Sequence, residues 1–401
     1  MSPALPERDQ PAAAADAPAS PVGAARALYQ RIVASADRIE RDRRLPAELV
    51  DALAAGGLFR MCLPRAVGGG ETEPALMLEA IEEVARADGS AGWCAMIGAT
   101  SGVVAGYLSE EVAAEIVGGD SRVVLGGVYA PMGRAAVADG GYRVSGRWAF
   151  ASGCEHCTWL MGGCVVQDDA RARLLPGGAP ESRLMLFPAA EARVIDTWTV
   201  SGLRGTGSHD IAVTDLFVPA GRAVSLATDR PRAPGALYRF PVFGLLALGI
   251  AAVALGIARR AIDELATLAA AKTPTGSRRR LAERAAVQAE VAEAEALLRA
   301  ARAFLREAVA EAWASARKDS ELPIPLRAML RLAATHATAG AARAVDLMYR
   351  AGGGSAVYAD SPLQRCFRDV HVVTQHMMVA PPTWELAGRI LLGVDVDTSM
   401  L

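Results

Sequence analysis

Two cysteines and a histidine stand within four consecutive positions, Cys154-Glu155-His156-Cys157. Thiolates and imidazole bind metals, but a structural zinc takes four ligands, usually from two knuckles, and Cys164 is the one further candidate nearby. A redox dithiol would open a helix after a strand, whereas this motif follows the β-type run WAFASG. Both cysteines therefore read as bystanders, and no metal is expected. His371 and His376 are better placed for chemistry, because an imidazole with a reference pKa near 6.5 moves protons at neutral pH. On one continuous helix they would stand about 140° apart, so only one of them would face a given substrate. Trp148 and Phe150 alternate with Ala149 and Ala151, which puts both rings on one face of a strand. No GxGxxG follows a strand, so the chain carries no signal for a nicotinamide site.

The elements that must position these residues fall into three segments. The chain has 401 residues, 52% of them hydrophobic, enough for a large core. Its net charge of −2 gives no sign of a nucleic-acid or membrane-surface partner. Residues 1–23, rich in Ala and Pro without an apolar run, read as a disordered tail with no secretion signal. Six scattered cysteines do not make a disulfide framework, which favours the cytoplasm. Residues 24–124 show helical apolar spacing, as in ALMLEAIEEVARAD. Residues 125–225 turn to short β-branched and aromatic runs between turn residues. Residues 226–401 return to long helical patterns at 242–272, 277–318, 324–351 and 363–393. This order predicts an α+β fold with a helical N-terminal domain, a middle β domain and a C-terminal four-helix bundle. Val242 to Ala258 is uncharged for 17 residues, the lower limit for a membrane span. It runs directly into an amphipathic continuation, and a helix buried on all sides of a bundle is the reading adopted.

Three stretches give this arrangement a resemblance: GRWAFASG, WTVSGLRGTGSHDIAVTDLFVP and GGGSAVYADSPLQRCFRD, in that order along the chain. Together they resemble the acyl-CoA dehydrogenase superfamily over nearly all of the chain after the tail. A dehydrogenase of the common branch needs a carboxylate about eight residues beyond the Arg-Asp pair. After Arg368-Asp369, however, VHVVTQHMMVAPPTW holds no acid before Glu385. The histidines in that gap, with the W-x-F-x-S-G pattern, look like the two-component flavin monooxygenases built on the same fold. ADGSAGWCAMI and TQHMMVAPPTWELAGRILLG are similar to the indole-type hydroxylases among them, those acting on indole-acetate or indole-terpenoids.

The resemblance implies hydroxylation of an indole or phenol-type substrate through a flavin C4a-hydroperoxide. FADH2 or FMNH2 would come from a separate NAD(P)H:flavin reductase, and O2 would be the oxidant. It implies His376 as the substrate's base or hydrogen-bond partner and Ser152 as the hydroxyl beside flavin N5. Trp148 and Phe150 would flank the ring, while Arg278, Gln288 and Gly353 would hold the flavin's tail. Trp93, Met96, Arg204 and Ser208 would line the substrate pocket with His376. It also implies a homotetramer. An acyl-CoA dehydrogenase-type FAD oxidoreductase and a non-catalytic flavin-fold scaffold stand as the alternatives.

Overall fold

The computed structural model describes residues 20–318, 322–399 and 401. The first helix, α1 (Pro21–Asp42), begins where the tail was expected to be ending. Ser20 accepts a hydrogen bond from the Gly23 amide at 3.1 Å and Pro21 occupies the first turn, so the helix starts three residues before the boundary read from apolar spacing. The rest of the predicted tail lies outside the described residues. Helices α2 (Ala47–Ala55), α3 (Pro74–Ala87), α4 (Gly89–Ser101) and α5 (Glu110–Val117) complete the N-terminal segment.

Eight strands follow: β1 (Leu125–Ala138), β2 (Gly141–Ala151), β3 (Trp159–Asp168), β4 (Arg171–Ala172), β5 (Ser182–Pro188), β6 (Arg193–Ile195), β7 (His209–Pro219) and β8 (Ala223–Val224). They form one sheet in the order β6-β7-β2-β1-β3-β5-β8, with β4 paired to β3. Among the described residues only the β1–β3 pair is parallel.

The C-terminal segment holds α6 (Val242–Ala271), α7 (Ala285–Ala316), α8 (Ile324–Gly352), α9 (Pro362–Val373) and α10 (Pro382–Leu391). The apolar helix α6 packs against α3, α4, α8 and α9, and 83% of its most apolar window is buried. It is the bundle's central helix, which is why it is apolar all round. Gly249 and Gly256 let α4 and α3 approach it: a Cβ at Gly256 would lie 2.5 Å from the Glu82 carbonyl oxygen. Two helical boundaries differ from the sequence reading. The 277–318 pattern becomes a loop up to Arg284 followed by α7. The 363–393 pattern breaks at Thr374, and a second helix, α10, starts at Pro382, where a proline is tolerated in the first turn.

Candidate active site

The site forms where β2 ends. Between β2 and β7, Trp148 faces Ile211 and Ala151 faces His209, so two β2 residues stand opposite Asp210 alone. This bulge corrects the expectation that Trp148 and Phe150 share a face. Phe150 takes φ 65°, turns out of the sheet and is 71% exposed, edge-on to Trp198 at 6.2 Å. Trp148 points into the core instead and is fully buried. Its indole lies in a channel left open by Gly133, Gly146 and Gly162, where any Cβ would come within 2.6 Å of the ring, and it donates to the Gly163 carbonyl at 2.7 Å. Trp148 is thus a packing residue, and the exposed ring at this position belongs to Phe150.

Ser152, just beyond the bulge, is buried and joins three segments. Trp93, from α4, donates its indole N–H to Ser152 Oγ at 3.0 Å. Ser208 Oγ lies 2.7 Å from Ser152 Oγ, and Thr206 Oγ1 lies 2.7 Å from Ser208 Oγ. Thr206 in turn donates to the Leu203 carbonyl at 2.9 Å. The loop carrying these hydroxyls is held at Leu203, which adopts φ 49°. Its amide donates to Asp369 Oδ1 at 2.6 Å, and its carbonyl also accepts from Trp198 Nε1 at 3.1 Å. Ser90, in the first turn of α4, accepts from the Gly205 amide at 3.2 Å. Asp88 caps α4 by accepting from the Ala91 amide at 2.9 Å. Burial, and then the nearby Asp88 carboxylate, push the Asp369 carboxyl up to about 7.

His376 follows α9, and its ring lies 5.7 Å from the Trp93 ring. Its Nδ1 accepts from the Met378 amide at 3.2 Å, which leaves the proton on Nε2. Burial, helped by the positive charge of Arg331, lowers its pKa to about 4, so the imidazole is neutral at pH 7. His371 stays on α9, bonds Asp346 at 2.9 Å and packs against Phe367 at 4.6 Å. The two histidines do point apart, but the end of α9 separates them rather than rotation along one helix. Glu385 is exposed on α10.

The structure thus gathers Ser152, Ser208, Trp93, His376 and the exposed Phe150, and leaves the other expected site residues elsewhere. Met96 is buried against Gly249 of α6 and packs α4 on that helix. Arg204 directs its Nε to the carbonyl and carboxylate of Glu40 on α1, at 3.4 and 3.5 Å, and serves to fix the loop. Arg278, Gln288 and Gly353 lie at the far end of the bundle, where the end of α6 meets that of α8 through a bond from Lys272 Nζ to the Gly352 carbonyl at 3.2 Å. There Gln288 Nε2 donates to the Ala282 carbonyl at 2.9 Å, and Gly353 takes φ 54° to end α8. Cys154 and Cys157 are buried in the turn between β2 and β3. Burial pushes the Cys154 thiol up to about 12 and raises that of Cys157 as well, which keeps both protonated. Thr206, Trp198 and Asp369 were not singled out in the sequence. The two hydroxyls spaced two apart in GTGS were the available signal for Thr206; Asp369 was legible as half of the Arg368-Asp369 pair but not as the partner of Leu203, and nothing in its stretch marks the role of Trp198.

A helical segment, a bulged sheet and a bundle built around a buried hydroxyl chain and a neutral histidine define a class that comparison with known proteins identifies. Residues 22–117 match the acyl-CoA dehydrogenase N-terminal domain and residues 248–381 the acyl-CoA dehydrogenase C-terminal domain. The chain belongs to the acyl-CoA dehydrogenase superfamily, among its flavin-dependent monooxygenases. It is 34% identical to an indole-3-acetate monooxygenase of Pseudomonas putida, over 88% of this chain and 89% of that one. It is 32% identical to the oxygenase component of an FADH2-dependent resorcinol hydroxylase of a Rhizobium species, over 89% of each chain. The crystal structure of 3-HSA hydroxylase from Rhodococcus sp. RHA1 matches with a TM-score of 0.87 at 30% identity, covering 95% of this chain and 99% of that one.

Proposed function

We propose that this protein is the oxygenase component of a two-component aromatic hydroxylase, acting on an indole or phenol-type ring. In the overall reaction an aromatic C–H becomes C–OH. One atom of O2 enters the product, the other leaves as water, and reduced flavin from a separate reductase gives up two electrons and two protons. Reduced flavin, when bound, activates the dioxygen and supplies the oxygen atom. The chain's residues fit such a ring: Phe150 offers an exposed aromatic face, and Ser152 offers a buried hydroxyl two residues away. Trp93 separates Ser152 from His376, touching one through its N–H and the other through its ring. That arrangement carries the reading, because it sets a flavin-side hydroxyl and a substrate-side base on either side of one indole. His376, neutral at pH 7, meets the substrate's hydroxyl or ring through Nε2, as a hydrogen-bond donor in the tautomer described and as a base in the tautomer that gives up the Met378 amide. The Trp93 ring beside it covers one side of the imidazole and limits the water that would divert the reaction to hydrogen peroxide.

Arg278, Gln288 and Gly353 are suited to a flavin's phosphate end, but α8 runs about 33 Å from Arg331, beside Met378, to Gly353 at 1.5 Å per residue. That exceeds an extended flavin dinucleotide, and it supports a second chain whose bundle end serves the flavin, an arrangement the proposed homotetramer would provide. The test supplies the purified chain with FAD, a separate NADH-dependent flavin reductase and a panel of indoles and phenols. Hydroxylated product is expected only when both proteins are present. NADH oxidation by the purified chain alone, or firm FAD copurification with bleaching by an acyl thioester, would overturn the proposal, the second in favour of the dehydrogenase reading.

A further inference from the structure

Helix α4 carries Trp93, and every residue of that helix is buried except Ile97. Three of its faces are closed by neighbours so near that glycine or an unbranched chain stands there. A Cβ at Gly92 would lie 2.4 Å from the Ala85 Cβ of α3, and one at Gly98 would lie 2.4 Å from the Phe59 ring. Met96 fills the face toward α6, where a Cβ at Gly249 would come 2.7 Å from its Cγ. At about 100° per residue, with Gly92 set at 0°, Met96 stands near 40°, Trp93 near 100°, Ile97 near 140° and Gly98 near 240°. Ile97 thus shares the remaining face with Trp93, between the α6 side and the Phe59 side. Residues four apart on a helix hold their Cβ atoms about 5–6 Å from each other. A helical side chain also tilts toward the N-terminus, so Ile97 leans over the turn that carries Trp93. Within an otherwise buried helix, an isoleucine keeps accessible surface only where the packing opens. This opening adjoins the indole that touches Ser152 and His376.

We infer that Ile97 bounds the substrate space beside Trp93 and sets the size of aromatic substrate that the site accepts. The inference rests on the proposed aromatic hydroxylation and adds to it the residue that measures the ring. Ile97 makes no hydrogen bond through its side chain and moves no proton; it meets the apolar part of a substrate whose polar group lies at His376. Branching at Cβ restricts its rotamers, so it forms a stiff wall rather than an adaptable one. Met96 cannot serve in this way, because its side chain is spent on α6. A single methylene in an apolar pocket is worth roughly 10–200-fold in discrimination, so the volume of this one side chain is enough to separate a one-ring from a two-ring substrate.

The experiment compares phenol with 4-phenylphenol, and indole with 5-phenylindole, on the full chain supplied with FAD and a flavin reductase. Hydroxylated product gives kcat/KM for each probe, and anaerobic calorimetry with reduced flavin present gives each Kd. Ile97→Ala removes three carbons and should raise the long-to-short ratio of kcat/KM by about tenfold or more, with the Kd ratio shifting the same way. Ile97→Phe should lower both ratios. Ile97→Val, the mildest change, should move them in the direction of the Ala variant, which covers a failure of the others to fold. Met96→Ala, on the α6 face, should leave the ratios where they are in wild type. If wild type hydroxylates these probes and the ratios are unchanged in every Ile97 variant, or all probes lose activity equally, the Ile97 inference is wrong while the proposed function stands. If wild type hydroxylates no indole or phenol, the proposed function is wrong and the inference falls with it.

Discussion

His376 and Ser152 divide the chemistry by their surroundings. Burial and Arg331 disfavour the imidazolium of His376. Its neutral form is therefore kept as pH falls below the ordinary 6.5 and is lost only on passing through about 4. Hydroxylation in single turnovers should be flat from pH 7 to pH 5 and fall near pH 4; an acid limb centred near 6.5 would mean that another group is titrating. His376→Ala should lower the rate of oxygen transfer by about 10²–10⁴-fold and raise peroxide release, whereas His371→Ala should do neither. Ser152→Ala removes a buried hydrogen bond worth about 1–3 kcal/mol, so unproductive peroxide loss should rise roughly 5- to 150-fold. The ratio of peroxide to product per flavin consumed measures it, and an unchanged ratio would take Ser152 out of the mechanism.

Elements matter here for where they place two short stretches, the bulge of β2 and the loop before β7. The bulge sends Phe150 outward and Trp148 inward, and the loop brings Ser208 to Ser152 because Asp369 of α9 holds the Leu203 amide. Burial beside Asp88 raises the Asp369 carboxyl to about 7, far above the reference value near 3.9. The folded protein therefore holds a proton there that the unfolded chain releases above pH 4. Stability from this group is full below pH 4 and is lost as pH rises toward 7, by roughly 3–4 kcal/mol at 1.36 kcal/mol per pH unit. Asp369→Asn keeps the oxygen that accepts from Leu203 and removes the titration. Its urea-unfolding free energy should lack this loss between pH 4 and pH 7, and a slope matching wild type would remove Asp369 as the cause.

Across the whole molecule, the ring site and the phosphate-suited end of the bundle are separated by most of the length of α8. Exposed apolar side chains cluster at the C-terminal edge: Leu391, Leu392, Val394 and Trp384, with Leu392 82% exposed. A surface of that kind, on an enzyme proposed to draw on a second chain's bundle end, is suited to self-association. Light scattering at micromolar concentration is expected to give four times the 41.8 kDa chain mass. Leu392→Glu should lower both the assembled mass and the affinity for FAD. A monodisperse monomer that binds flavin normally would contradict the arrangement.

The sequence by itself determined the order of the three segments, the central burial of α6 and the chemistry open to the chain. Apolar periodicity, strand composition and the gap without an acid after Asp369 are local properties, readable along a linear string. Ser152, Ser208, Trp93 and His376 were legible as residue types in their motifs. The tertiary structure alone decided which side chains meet. One extra residue in β2 separated Trp148 from Phe150, and a left-handed Leu203 held by a carboxylate 166 positions away placed the loop that brings Ser208 to Ser152. A bulge changes the face of every residue beyond it, and a loop takes its path from the distant groups that hold it. Neither is written in the spacing of the residues between.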